Sequence, residues 1–120
     1  MTQAYGPYSP IRKSGNLYYL SGQVGVNPIT KKAAKNIKAQ TKQTLRNIKS
    51  LLAANQLKVD NVIKTTIFLT DINDFRPVNA IYVDFFNEPR PARSCLEVSA
   101  LPKVANEKLL VEIEAIAYKN

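Results

Sequence analysis

The sequence predicts an α+β fold in which two helices cover one face of a single β-sheet. Two observations predict it, and a third gives the number of domains. Stretches rich in β-branched residues occur near the start, in the middle and at the end of the chain, and two stretches of helical periodicity lie between them. No repeat or linker divides the 120 residues, so residues 1–120 are predicted to form one domain.

The first elements are predicted to be a hairpin and a helix. Ser14-Gly15-Asn16 is a turn, and the strand formers from Leu17 to Ser21 follow it, with an alternation that continues until Asn27-Pro28. From about residue 34 to residue 55 the apolar period becomes helical, and Asn55 is a suitable helix end. One side of this helix carries Ile37, Thr41, Thr44, Ile48 and Leu51.

The second half is predicted to contain three strands and a helix. The clearest strand is 62–69, and residues 71–74 offer N-caps for a helix that runs through Phe86. Two strands, 93–98 and 109–118, complete the order. Both faces of the last strand carry large apolar groups. We therefore expect a second burying surface, which a homo-oligomer would supply most simply.

Composition excludes several classes of enzyme. The chain has no His and one Cys, which excludes Ser-His-Asp and Cys-His sites, His-containing zinc sites and Cys-x-x-Cys redox centres. All four glycines lie in the first 25 residues, and none forms a phosphate-binding loop. No apolar run has the length of a membrane span and no signal peptide is recognisable, so we expect a cytoplasmic protein without membrane contact.

Arg93 is the first candidate for chemistry. Alternation along its strand puts Arg93, Cys95 and Glu97 on one face, and it puts Ser94, Leu96 and Val98 on the other, which fits a core. A guanidinium suits a carboxylate because its planar fork donates two parallel hydrogen bonds. The alternative is a salt bridge of Arg93, either to Glu97 or across an interface.

Six stretches of the chain resemble the reactive intermediate deaminase (RidA-type) family, in order and over nearly its whole length. They are Gly6-Pro7-Tyr8-Ser9, Ser21-Gly22-Gln23, Gln40-Thr41 to Asn47-Ile48, Val62-Ile63-Lys64-Thr65-Thr66 to Asn73-Asp74-Phe75, Val78-Asn79 with Tyr82 and Phe85-Phe86, and Pro91-Ala92-Arg93-Ser94-Cys95 to Glu112-Ile113-Glu114-Ala115-Ile116-Ala117. Each stretch alone is weak evidence, but together they are specific.

The resemblance implies a chorismate-mutase-like fold with a single mixed sheet, assembled as a homotrimer with active sites between subunits. It also implies an activity, the hydrolysis of 2-enamine and 2-imino acids such as 2-aminoacrylate and 2-iminobutanoate to 2-keto acids and ammonia. Neither a cofactor nor a metal is implied.

The same resemblance implies roles for individual residues. Arg93 would bind the substrate carboxylate, Glu112 would orient the attacking water, and Tyr8 would join them as a third catalytic residue. The other substrate-binding residues would be Ser21, Gly22, Asn79 and Cys95, with Gly22 allowing close backbone approach and Cys95 contributing a backbone contact.

Each of these residues has a plainer interpretation. Tyr8 would be a turn-packing aromatic, Ser21 a small residue at a strand end, and Asn79 a helix cap or a solvent-facing side chain. Glu112 would form an ion pair with a Lys, or Glu114 and not Glu112 would be the functional carboxylate. Cys95 is favoured as a small buried residue over a nucleophile, because the chain offers no base to activate it.

The distribution of charge supports a rival function. Residues 1–59 contain ten Lys or Arg and no acidic residue. One face of the first helix is a basic stripe formed by Lys35, Lys38, Lys42, Arg46 and Lys49. A solvated face is the favoured interpretation, and nucleic-acid binding is the alternative. The rival functions are therefore that of an RNA-acting protein, which the charge supports, and separately that of a non-enzymatic ligand-sensing trimer.

Two departures from the family pattern bear on the substrate. Arg90 adds a positive charge just before the Arg93 motif, and the segment 104–109 is longer than usual by about three residues. We expect this segment to reach the cleft or a neighbouring subunit.

Overall fold

The protein is described by a computed structural model that covers residues 4–120 and confirms the predicted α+β architecture. The strands are Ile11–Ser14 (β1), Leu17–Val24 (β2), Val62–Leu69 (β3), Ala92–Glu97 (β4) and Val111–Tyr118 (β5), and the helices are Ile37–Ala54 (α1) and Phe75–Phe85 (α2). The strands form one mixed sheet in the order β1-β2-β5-β3-β4. β3 and β4 are parallel, and the other neighbouring pairs are antiparallel.

Local sequence signals set the ends of the elements. Gly15 closes the β1–β2 turn at φ 59°, in the left-handed region that favours glycine. α1 begins at Ile37, later than the periodicity predicted, because the side chain of Asn36 accepts a hydrogen bond of 2.9 Å from the backbone N–H of Ala39. The helix ends with Asn55 as its C-cap, as predicted.

The core lies between the sheet and the two helices. The buried residues of β5 alternate as predicted, with Val111, Ile113, Ala115 and Ala117 against the helices. The opposite side of the sheet, which we call the open face, carries Glu112, Glu114, Ile116 and Tyr118 from the same strand. Three large apolar residues on this face are 42–44% exposed, namely Tyr19, Leu96 and Tyr118. The expectation that a second copy covers this face therefore stays a prediction.

The side of β4 that faces the helices is the opposite of the side that the sequence predicted. Parallel pairing places Arg93 beside Thr65 and Cys95 beside the fully buried Ile67, on the side that the helices cover. Leu96 pairs instead with Phe68 and lies exposed on the open face. The prediction that Ser94, Leu96 and Val98 form the core side was wrong, because neighbouring strands, and not the composition of β4, decide which side meets the helices.

Buried amides on α1 hold the loops next to it. The side-chain nitrogen of Asn47 donates to the carbonyl oxygens of Val24 and Val26, both at 2.9 Å. Gln40 donates to the carbonyl oxygen of Lys108 at 3.1 Å and accepts from the N–H of Leu110 at 2.8 Å. These bonds fix the end of β2 and the approach to β5 on one side of the molecule.

The outer side of α1 is polar. Four residues of the basic stripe lie on α1, but Lys35 precedes the helix, because the Asn36 cap starts it at Ile37. All five residues are exposed, which agrees with a solvated face. Within residues 4–120, the helices are too short or too polar to cross a membrane.

Candidate active site

A cavity of about 170 Å³ lies at the open face, where the end of β2 meets the start of β5. It brings together three of the predicted site residues, Tyr8, Gly22 and Glu112. Tyr8 is 49% exposed and lines the same cavity as the carboxylate of Glu112. The structure thus assembles one part of the predicted site within a single chain.

An irregularity in β2 shapes this cavity. The pairing of β2 with β5 shifts register between Leu20 and Gln23, so Ser21 and Gly22 form a bulge. A Cβ built on Gly22 would lie 2.5 Å from a carboxylate oxygen of Glu112, which only glycine avoids. Glycine therefore lets the Glu112 side chain lie directly against the backbone of β2.

Ser21 holds the segment that carries Tyr8. Its hydroxyl donates to the carbonyl oxygen of Ser9 at 2.7 Å, and its N–H donates to the carbonyl oxygen of Pro10 at 2.9 Å. The position of Tyr8 at the cavity therefore depends on two hydrogen bonds from Ser21.

Glu112 has the electrostatic properties of a proton-handling group. Its pKa is raised first by burial and then by the neighbouring negative charge of Glu114. In the part of the chain that the structure covers, the Glu112 carboxylate forms no hydrogen bond or ion pair, so the predicted alternative of a Lys partner is not seen within one protomer. A half-buried carboxylate with free lone pairs, facing a cavity, suits the binding of a water molecule.

The second group of predicted residues surrounds Arg93. A guanidinium nitrogen of Arg93 donates to the side-chain oxygen of Asn79 at 2.8 Å. The guanidinium lies 4.8 Å from the ring centroid of Tyr82 and 5.5 Å from that of Phe75. The Tyr82 hydroxyl in turn shares a 2.7 Å hydrogen bond with Thr65, the residue beside Arg93 on β3. Arg93 is therefore held in place by an amide and two rings.

These contacts exclude one of the alternatives for Arg93, the salt bridge to Glu97. Glu97 accepts a hydrogen bond from the N–H of Ile72 at 2.8 Å, and Arg93 donates to Asn79, so the Arg93–Glu97 salt bridge is wrong. The nearby Arg90 forms an ion pair of 3.3 Å with Glu88. Because one hydrogen bond uses only part of the donor fork of Arg93, donors remain for an anionic ligand.

Cys95 lies two residues from Arg93 on the same side of β4, packed against the main core. Burial raises the pKa of its thiol, and the positive charge of Arg93 opposes that shift only in part. A thiol that ionises above its usual range fits a small packing residue and not a nucleophile.

The two groups lie on opposite sides of the sheet. Arg93 is beside Thr65, and Thr65 is beside Ala115, which points to the helices. Glu112 is three positions from Ala115 along β5 and therefore points to the open face. One protomer thus carries one group of predicted residues around Arg93, the Arg93 half, and another around Glu112, the Glu112 half, on opposite sides of the sheet.

Sequence reasoning gave no role to Phe75, Tyr82 or Thr65, and it assigned Asn79 to the substrate and not to Arg93. The signal was present as helical spacing, because Phe75, Asn79 and Tyr82 are four and three residues apart and so share one face of α2. Thr65 carried no such signal, since its contact with Tyr82 depends on the packing of α2 over the sheet.

Comparison with known proteins identifies the family. The family model described as endoribonuclease L-PSP matches residues 1–119. The chain belongs to the RidA family. The membership agrees with the six stretches by which the sequence resembles it, and with the mixed five-stranded sheet and its two helices.

Members of the RidA family match over nearly the whole chain. A RutC family protein of Pyrococcus horikoshii is 47% identical over 115 residues, covering 95% of this chain and 88% of the relative. The 2-iminobutanoate/2-iminopropanoate deaminase of Escherichia coli is 45% identical over 119 residues, covering 97% and 90%. The crystal structure of RidA from the Antarctic bacterium Psychrobacter sp. superposes with a TM-score of 0.92 at 40% identity, covering 98% of this chain and 92% of that one.

Proposed function

We propose that the protein hydrolyses 2-imino and 2-enamine carboxylates to 2-keto acids and ammonia, in sites formed between copies of the chain. The observation that carries the proposal is the division of the predicted residues into an Arg93 half and a Glu112 half on opposite sides of the sheet. The name of the Escherichia coli relative, a 2-iminobutanoate/2-iminopropanoate deaminase, supports the reaction class.

The division of the site requires a second copy. A 2-imino acid has its carboxylate carbon bonded directly to the imine carbon, so the groups that bind these two carbons must lie within a few ångströms of each other. Side chains on opposite faces of one sheet point away from each other and cannot both contact so small a molecule. The Arg93 half of one copy would therefore meet the Glu112 half of another.

The proposed reaction needs positioning and two proton transfers. Arg93 binds the carboxylate through its free donors, which fixes the imine carbon in front of Glu112. An enamine first becomes the imine, by losing a proton from its nitrogen and gaining one at C3. A water held by Glu112 adds to the imine carbon, and one proton of the water passes through the carboxylate to the nitrogen. The carboxylate then moves the proton of the new hydroxyl group to the nitrogen as the C–N bond of the carbinolamine breaks, which forms the C=O bond of the 2-keto acid and releases ammonia. Water is the only co-reactant, so the step requires no cofactor or metal.

Tyr8, Ser21 and Cys95 have supporting roles in this proposal. Tyr8 contributes its ring and hydroxyl to the wall beside Glu112, and Ser21 keeps that segment in place through its bonds to Ser9 and Pro10. Cys95 offers its backbone and not its thiol, in keeping with the raised pKa of that thiol.

The proposed assembly is a homotrimer with the open faces inside. Half-exposed apolar groups on that face, such as Tyr19 and Leu96, would become buried there. Light scattering should give three times the protomer mass of 13.4 kDa, or about 40 kDa. A mass near that of the protomer at working concentration would contradict both the trimer and the shared site.

The activity is tested by generating an imino acid in situ with an amino-acid oxidase and following its loss. We expect wild type to accelerate the loss, Arg93→Ala to abolish the acceleration, and Arg93→Lys to retain a small part of it because a point charge replaces the fork. Asn79→Ala should raise KM more than it lowers kcat, since Asn79 acts by aligning Arg93. Equal rates for wild type and Arg93→Ala would refute the proposed function, and binding of a 2-keto acid without turnover would indicate a ligand-sensing role.

RNA binding is the second candidate. It is favoured by the exposed basic stripe on α1 and by the family description as endoribonuclease L-PSP. Binding of single-stranded RNA that weakens steeply with salt, and that is lost when Lys35, Lys38 and Lys42 become Ala, would support it.

A further inference from the structure

The segment that follows β4 forms a wall of the Glu112 cavity. Pro102, Lys103 and Val104 line the same cavity as Glu112. Val104 is the first residue of the segment 104–109, and the expectation that this segment reaches a cleft shared with a neighbouring subunit stays a prediction. The proposed substrate site therefore has a wall formed by residues to which no role has been given so far.

This wall is fixed in position. Residues 104–107 form a tight reverse turn in which the N–H of Glu107 donates to the carbonyl oxygen of Val104 at 2.9 Å. The two residues inside the turn have φ of 53° and 61°. The Glu107 side chain also accepts a hydrogen bond of 2.8 Å from the N–H of Ala33. The first hydrogen bond thus closes the turn, and the second holds the turn to the body of the chain.

Val104 is the apolar residue of this turn that lines the cavity. Its side chain packs against a small cluster formed by Val24, Val26 and Leu109, separate from the main core. Val24, Val26 and Pro28 also line the cavity, so an alkyl group entering past Glu112 would meet a continuous apolar surface.

The volume limits how long such a group can be. A closed apolar cavity of about 150 Å³ holds one benzene ring, or about six carbon atoms. The present cavity, at about 170 Å³, must also hold the imine carbon and a water near Glu112. Space therefore remains for a side chain of roughly four carbons.

Resting on the proposed function, we infer that Val104 limits the length of the substrate side chain, and that the preferred substrates are 2-imino acids with apolar side chains of about two to four carbons. Lys103 on the same wall is the competing determinant, because its ammonium group would favour an acidic side chain.

The test compares imines made by an amino-acid oxidase from 2-aminobutyrate, norvaline, norleucine, 2-aminoheptanoate and glutamate. We expect wild-type kcat/KM to fall about tenfold or more between the butyl and pentyl side chains, since one methylene in an apolar pocket changes this ratio roughly 10- to 200-fold. Val104→Ala should shift the fall to a longer side chain and Val104→Leu to a shorter one. Circular dichroism spectra and thermal unfolding midpoints that match those of wild type check that both Val104 variants fold. Val59→Ala, at a residue that packs against the main core, is the matched control and should leave the length profile unchanged.

The outcomes separate this inference from the proposed function. The same length profile in wild type and both Val104 variants, or a highest kcat/KM for the glutamate imine, would overturn the inference alone. No acceleration of any imine by wild type would overturn the proposed function and the inference with it.

Discussion

Gly22→Ala is a direct test of how closely Glu112 depends on the backbone of β2. A Cβ at position 22 would lie 2.5 Å from a carboxylate oxygen of Glu112 and 2.7 Å from its Cδ. Ordinary van der Waals contact begins at 3.4 Å, so the carboxylate must withdraw by about 0.9 Å. Because the obstructing atoms are the end of a side chain and not backbone, we expect the fold to persist while the carboxylate moves.

A displacement of this size has a calculable effect on rate. Misplacing a catalytic group by about 1 Å lowers the rate roughly 100-fold. We therefore expect Gly22→Ala to reduce kcat/KM for the oxidase-generated imine by about two orders of magnitude, or about 2.7 kcal/mol. The thermal unfolding midpoint should stay close to that of wild type.

A double-mutant cycle shows whether the effect acts through Glu112. Once Glu112→Ala has removed the carboxylate, a methyl group at position 22 has nothing to displace, so Gly22→Ala should have little further effect. Gly22→Ala with kcat/KM within threefold of wild type would refute the argument. So would a further 100-fold loss in the Glu112→Ala background, because the effect would then come from elsewhere.

Three further predictions follow from contacts around the two halves. Thr65→Val leaves the hydroxyl of the buried Tyr82 without its partner, so we expect the free energy of unfolding in urea to fall by about 1–3 kcal/mol. Adding Tyr82→Phe should recover part of this loss, and a further equal loss would contradict the paired role. Gly25→Ala places a Cβ 2.7 Å from a backbone oxygen of α1, where no flexible side chain can give way, and should destabilise the protein by about 1–3 kcal/mol in the same titration. Burial, and then the negative charge of Glu114, raise the pKa of Glu112. Activity that needs the ionised carboxylate should therefore rise with pH through a pKa above the ordinary range of a Glu. Because the folded state favours the protonated form, this group makes the folded state less stable as the pH rises through that pKa. Glu114→Gln removes one of these causes and should move the acid limb of kcat/KM to lower pH; an unchanged limb would show that the like charge has no effect.

Much of the fold follows from the sequence because its signals are local. The β-branched run 62–69, the turn at Gly15 and the helix end at Asn55 were predicted and confirmed, since each depends on the preferences of residues adjacent in sequence. The start of α1 was misplaced because a cap at Asn36 outweighs a periodicity that begins earlier.

The site shows the limit of such reasoning. Alternation placed Arg93 and Cys95 on one face, but which face meets the helices depends on the parallel pairing with β3, and that pairing joins residues far apart in sequence. Glu97 bonds to the N–H of Ile72 and not to Arg93, and the packing of α2 over the sheet brings Tyr82 and Asn79 to Arg93.

The sequence by itself was enough to predict most of the elements, the family and a set of candidate site residues, because residue type and short-range spacing are enough for these. The tertiary structure alone decided that Arg93 and Glu112 point to opposite sides of one sheet, and that residues 102–104 line the cavity beside Glu112. The physical reason is that strand register and the packing of loops depend on contacts between distant parts of the chain, which no local pattern records.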